Sequence, residues 1–222
     1  MKAAIVLTLA LLPTAALASQ SIAGRVLIAA PKSSARLSGL SERLDGLWAG
    51  LALDVAAGRF TVSTAGTRGR VTSDAGSAPD RDVGEVVVSG RYEARNGLGF
   101  ELRYAGRVFS SPAGYQRWDI VGLGASVSRD LGTPSVHAVA TLAYLPIVNV
   151  TSQPRATFAI SSDVGVAIAP RRSPMALRVS YRVERFSFFK LGRSEQFEVL
   201  TLSVGLRVRR ADGRWTVGGA GP

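Results

Sequence analysis

Residues Val83 to Phe109 read VGEVVVSGRYEARNGLGFELRYAGRVF, and this stretch decides the fold. On its first arm Val86, Val88, Tyr92 and Ala94 alternate with Glu85, Ser89, Arg91 and Glu93. On the second, Leu98, Phe100, Leu102, Tyr104 and Val108 alternate with Glu101, Arg103 and Arg107. Successive side chains of a strand leave opposite faces, so period-two alternation of this length means strands. Asn-Gly between two such runs signals a hairpin. A two-residue loop would set Arg95 against Leu98 and join opposite faces. A three-residue loop, Arg95-Asn96-Gly97, pairs Ala94 with Leu98 instead and puts glycine at the left-handed position. That register predicts Glu85 opposite Arg107 and Arg91 opposite Glu101 on one face, with Tyr92 opposite Phe100 on the other. A soluble barrel would point its apolar face inward and leave the four charges no place. Charges on the concave side and apolar groups outward describe a membrane barrel.

The first residues, MKAAIVLTLALLPTAALASQ, have the form of a secretory signal peptide. Lys2 gives the positive start, Ala3 to Leu12 the apolar run, and Ala16-Leu17-Ala18 the small-residue cleavage site. Cleavage is expected near Ala18, the apolar run being too short for an anchor. The chain has no cysteine, so an exported product holds itself by backbone pairing and burial alone. Its net charge of +11 falls by one when Lys2 leaves, and nearly all the cations are arginine. Arginines placed singly along alternating strands of an exported protein argue against nucleic acid as a partner. They suit the phosphates of outer-membrane lipid and lipopolysaccharide, whose geometry the guanidinium fork matches. No later segment is apolar enough for a spanning helix, which leaves a closed barrel.

In chain order, residues 19–46 read as a periplasmic linker with a short helix, because Leu37, Leu40, Leu44 and Leu47 fall at helical intervals. A first strand is expected from Leu47 to Thr64, with a bulge at Ala56-Ala57-Gly58 where the apolar parity flips. Thr67 to Asp82 reads as a long loop. The two arms of the hairpin supply strands two and three. Further strands are expected at Arg117 to Leu131, Ser135 to Val148, Thr157 to Ala169, Met175 to Phe189 and Gln196 to Arg209. The total is eight, in a barrel domain of residues 47–210 with a tail of residues 211–222. Long connections alternate with tight ones, as in outer-membrane barrels whose tight turns face the periplasm. Tyr92, Phe100, Phe109, Trp118, Phe158, Phe186, Phe188 and Phe189 lie towards strand ends and are expected to form interfacial girdles.

Over Leu47 to Arg209 this pattern resembles the small eight-stranded outer-membrane barrels, the class that includes the transmembrane part of outer membrane protein A. The resemblance implies an all-β, eight-stranded, antiparallel up-and-down transmembrane β-barrel. It also implies a choice of roles: structural anchor, adhesion or host-surface protein, narrow pore, or lipid A-modifying enzyme. One departure is visible, since Val208 stands where such chains usually carry a closing aromatic.

Few residues suggest chemistry. His137 is the sole histidine; the Gly132-Thr133 turn would set it inward opposite Ser128 with Asp130 nearby, a Ser–His–Asp grouping in residue type. It would sit at the periplasmic end, and no nucleophile motif surrounds Ser128. The inward charges Glu85, Arg91, Glu93, Glu101, Arg103, Arg107, Asp163, Arg178, Arg182, Glu184 and Arg207 read either as a paired polar core or as the lining of an anion-preferring pore. Three pairs follow from register: Glu85 with Arg107, Arg91 with Glu101, and Asp163 with Arg182. An eight-stranded barrel is only wide enough for side chains to fill it, which favours the core. The cations Arg68, Arg70, Arg81, Arg117, Arg155 and Arg193 are the candidates for contact with lipid phosphates. Loops 67–82 and 149–155 are candidates for a surface partner. No cofactor motif and no metal-ligand spacing occurs. The expected function is a non-enzymatic structural or surface-interaction barrel, with a lipid A-modifying enzyme or a small ligand-binding or conducting barrel as alternatives.

Overall fold

The computed structural model describes residues 20–37, 40–73, 79–112, 114–151, 153–170, 173–211 and 214–217. The expected signal peptide lies outside them. Every connection but one joins sequence neighbours in an antiparallel meander: β1 (Gln20–Leu37), β2 (Leu40–Ala57), β3 (Phe60–Ser73), β4 (Arg81–Glu93), β5 (Leu98–Ser111), β6 (Gly114–Leu131), β7 (Thr133–Val150), β8 (Phe158–Ile168), β9 (Met175–Phe188) and β10 (Arg193–Ala211). The exception is the seam, where β1 pairs with β10 from Ser21 opposite Arg209 to Leu37 opposite Arg193, closing a barrel. A short β11 (Arg214–Val217) folds back on β10 at Val208 to Ala211, beyond the last residue that β9 pairs.

The barrel therefore has ten strands, and two corrections to the sequence reading account for the extra pair. Residues 20–37 are a strand rather than a linker. The four leucines at helical spacing belong to two strands: Leu37 opposes Leu40 across their connection, Leu44 is buried in the lumen, and Leu47 is exposed outside. The parity flip near Gly58 is a hairpin turn rather than a bulge. Ala57 pairs with Phe60, and Gly58 takes a left-handed φ of 61°. Thr67 to Ser73, read as loop, continues β3, so the connection to β4 shrinks to residues 74–80.

The central hairpin folds in the expected register. Glu85 opposes Arg107, Arg91 opposes Glu101 and Tyr92 opposes Phe100. The Ala94 N–H donates to the Leu98 carbonyl across the three-residue loop, where Asn96 and Gly97 are both left-handed, at φ 70° and 74°. Sidedness is settled by exposure: Val86, Leu102, Val179 and Leu202 point away from the barrel axis and are 47%, 56%, 43% and 45% exposed. Glu85, Arg107 and Glu184 are buried inside. An apolar exterior around a charged interior is the arrangement of a barrel whose surrounding solvent is lipid.

One true bulge does occur. Val121 pairs with Ile147 and Leu123 with Tyr144, so Leu145 and Pro146 together oppose Gly122. Proline cannot donate to the ladder and is tolerated at such a point. The extra residue reverses the faces of β7, turning Val148 and Val150 into the lumen, where both are buried.

Candidate functional site

The lumen is the part of the molecule where chemistry-bearing side chains meet. Going from the end that holds the termini to the opposite end, the inward residues of β9 are Arg178, Arg182, Glu184, Phe186 and Phe188. This order defines layers that the other strands share. At mid-height, Glu85 on β4, Arg103 and Arg107 on β5, and Arg182 and Glu184 on β9 form one ionic cluster across the barrel. Arg107 Nη2 donates to Glu85 Oε1 at 2.6 Å and to Glu184 Oε2 at 2.6 Å. Arg182 Nη2 donates to Glu85 Oε2 at 2.6 Å, and Arg103 Nη2 to Glu184 Oε1 at 2.6 Å. Each carboxylate oxygen of the two glutamates therefore accepts a charge-assisted bond, the condition under which charges are tolerated away from water.

Above the cluster lies an aromatic layer. The Arg107 guanidinium stacks on the Phe197 ring, 3.5 Å from its centroid, and Phe197 packs against Trp48 with centroids 5.6 Å apart. Trp118 packs against Phe186 and Phe188 at 5.0 and 6.1 Å. Phe109, Val71, Val83, Ile120, Val148 and Val199 fill the spaces between them. Four aromatics expected in the outer girdles, Phe109, Trp118, Phe186 and Phe188, are thus inside the lumen. On β5 and β9 their parity is that of the inward charges, and on β6 Trp118 shares the inward parity of Gly122 and Ser126. Phe100, Phe158 and Phe189 are exposed on the outside as expected. At the upper mouth, Arg81 pairs with Glu42 and Arg193 with Glu195, each at 2.5 Å.

Of the three predicted pairs, Glu85–Arg107 forms as expected. Asp163 does oppose Arg182 in register, but Arg182 turns to Glu85, and Asp163 instead lies 3.7 Å from Arg178. Arg91 opposes Glu101, yet among the described residues the two make no ion pair, and Arg91 Nε is buried without a hydrogen-bond partner. Glu184 and Arg103 were legible as inward charges but not as members of the cluster, because their partners lie across the lumen rather than on a neighbouring strand.

The Ser–His–Asp grouping does not assemble. His137 pairs with Asp130 in register, its Nδ1 2.5 Å from Asp130 Oδ1, whereas Ser128 opposes Val139. A register irregularity around Gly132 moves the pairing by two residues from the expected one. The Ser128 hydroxyl makes no hydrogen bond among the described residues, and the histidine pair is exposed near the end that holds the termini. Among the described residues no three His, Asp or Glu side chains are grouped to hold a metal ion.

The six cations proposed for lipid contact divide. Arg68, Arg70 and Arg117 point outward from strands, and Arg155 is exposed in the connection after β7. Arg81 and Arg193 face the lumen. Arg70 is bound to Asp82 at 3.1 Å and Arg117 to Asp119 at 2.9 Å.

No protein-family profile and no curated protein matches the chain. Among solved structures it is similar to an outer membrane channel from Pseudomonas putida F1, at 15% identity and a TM-score of 0.48, covering 88% of this chain and 96% of that one. It is also similar to the translocator domain of the autotransporter NalP from Neisseria meningitidis, at 11% identity and a TM-score of 0.41, covering 84% and 88%. A third similarity is to Neisserial surface protein A, at 15% identity and a TM-score of 0.39, covering 83% and 97%.

Proposed function

We propose that this chain is a sealed, non-enzymatic barrel of the outer membrane with a structural or surface-interaction role. The observation that carries this reading is the doubly blocked lumen: an ionic cluster of five side chains beneath a layer of six aromatic rings. With ten strands the interior is wider than that of an eight-stranded barrel, so strand number alone would not fill it. The filling is done by the largest side chains the chain has. The outer-membrane assignment is supported by the exposed apolar belt and by the placing of the two longest connections, residues 74–80 and 151–157, at the end opposite the termini. The regular alternation of tight and long connections expected from the sequence does not hold, since β1–β2 and β5–β6 are joined by two residues each at that same end. The enzymatic alternative lacks an assembled triad.

Planar-bilayer recording with the folded protein tests the reading. No unitary current steps are expected; discrete, reproducible conductance would overturn it in favour of the conducting alternative.

A further inference from the structure

We propose that a basic cleft on the outer wall of the barrel, beside the seam, binds the phosphate of an outer-leaflet lipid headgroup through Lys32, Arg36, Arg43 and Arg185. The inference rests on the reading above, that the end opposite the termini, which carries the two longest connections, faces the outer leaflet.

The four cations come from three strands of the wall, β1, β2 and β9, and β10, between β1 and β9, completes the cleft's lining. Lys32 and Arg36 leave the outer face of β1, Arg43 that of β2 and Arg185 that of β9. The cleft has a volume of about 620 Å³ and is open to one side. Its position is set by what lies directly below it on the same faces. Ile28, Leu47 and Leu200 are large, apolar and exposed, so the cleft begins where the apolar belt ends. A phosphate on a lipid sits at that height, between acyl chains below and water above.

Charge accounting separates these residues from the other exterior cations. Arg70 and Arg117 are already bound to aspartates on the wall. Arg36 and Arg43 make no ion pair with any described residue, and Arg185 binds only a neutral group, donating from Nε to Gln196 Oε1 at 3.0 Å. Of the carboxylates that line the cleft, Glu198 lies opposite Lys32 across the seam and accepts from Tyr181 and Gln196, and Glu195 is ion-paired with Arg193. Asp45 also lines it, directly opposite Lys32. What remains is an excess of guanidinium groups, the donors whose fork fits phosphate oxygens.

The test compares wild type, Arg36→Gln/Arg43→Gln, and Arg129→Gln as a control that removes an exposed outward cation at the opposite end. Each is reconstituted in phosphatidylcholine vesicles and titrated with lipid A, with dephosphorylated lipid A and with inorganic phosphate. Wild type is expected to prefer the phosphorylated lipid, and the double variant to lose at least tenfold in affinity for it alone. Rising salt should weaken the wild-type preference. Equal affinity of wild type and double variant for lipid A overturns the site. Competition by inorganic phosphate at matched concentration overturns the lipid as its source. A barrel that fails to enter vesicles would sink the membrane reading itself, whereas one that enters and shows no phosphate preference sinks only this inference. An unboiled gel band at the wild-type position shows that each variant has folded.

Discussion

Glu184 has no exposed surface, and each of its carboxylate oxygens holds a different arginine. Removing it leaves Arg103 and Arg107 facing each other without the anion between them. Glu184→Ala should therefore destabilise the folded barrel by roughly 3–5 kcal/mol. Arg107→Ala should do the same, and the double variant should cost less than the sum by about 1–3 kcal/mol. Urea titration of folding in lipid vesicles measures all three, and strict additivity would show that the cluster is not one unit. Glu195 offers a test outside the belt, where its strand rises past the last apolar outward residue. Burial pushes its carboxyl up from 4.5 to about 7, against the pull of Arg193. A raised carboxyl binds its proton more tightly folded than unfolded. Its contribution to stability thus falls as pH rises from 4.5 towards 7 and is level above that. Glu195→Gln should pull ahead of wild type progressively across that window, by up to about 3 kcal/mol at roughly 1.4 kcal/mol per tenfold change in proton affinity. A constant difference between the two proteins would mean that Glu195 titrates normally.

At the level of strands, β2 and β3 lie close because one supplies a tryptophan and the other a glycine. A Cβ placed on Gly69 would meet Trp48 Cδ1 at 2.6 Å and the Leu47 carbonyl oxygen at 2.1 Å. Gly66, three residues earlier and on the outer face, has nothing within 4 Å. Gly69→Ala should consequently cost about 1–3 kcal/mol through overpacking, and Gly66→Ala should be neutral or slightly stabilising. The midpoint temperature of the shift between folded and unfolded gel bands distinguishes them; equal midpoints would mean that the wall yields at Gly69. This region is also where the sequence misleads. A hairpin whose facing residues are separated by an odd number, as Ala57 and Phe60 are, reverses apolar parity just as a single inserted residue does. Alternation therefore cannot tell a turn from a bulge without a marked turn sequence. Asn-Gly supplied one between β4 and β5, and their register was accordingly legible to the residue. The β7 bulge left no such mark, so the inward turn of Val148 and Val150 was hidden.

Taken whole, the barrel class and the sidedness of its wall were readable because both follow from alternation, which is local. Strand number was not, because β1 has a weakly alternating first half and a polar second half, and its proof of membership is a pairing with β10 at the far end of the chain. The lumen was half readable. Parity assigned Arg103, Arg182 and Glu184 to the inner face, while Trp118, Phe186 and Phe188, expected in the girdles, lie inside; proximity across the axis depends on barrel diameter, which no stretch of sequence encodes. Asp163 shows the consequence: a correct neighbour in the ladder lost its arginine to an acid on the other side of the axis.

The seam has a bearing on biogenesis. Every other rung is a short-range contact that a growing chain can make as its next strand emerges, at little entropic cost. The β1–β10 junction joins the first strand of the sheet to the last long one, so during synthesis both borders carry unsatisfied amides until the end. Such an intermediate would recruit any free edge it met, which makes shielding of those borders, by a chaperone or by an insertion machine holding them apart, a requirement that the topology itself imposes.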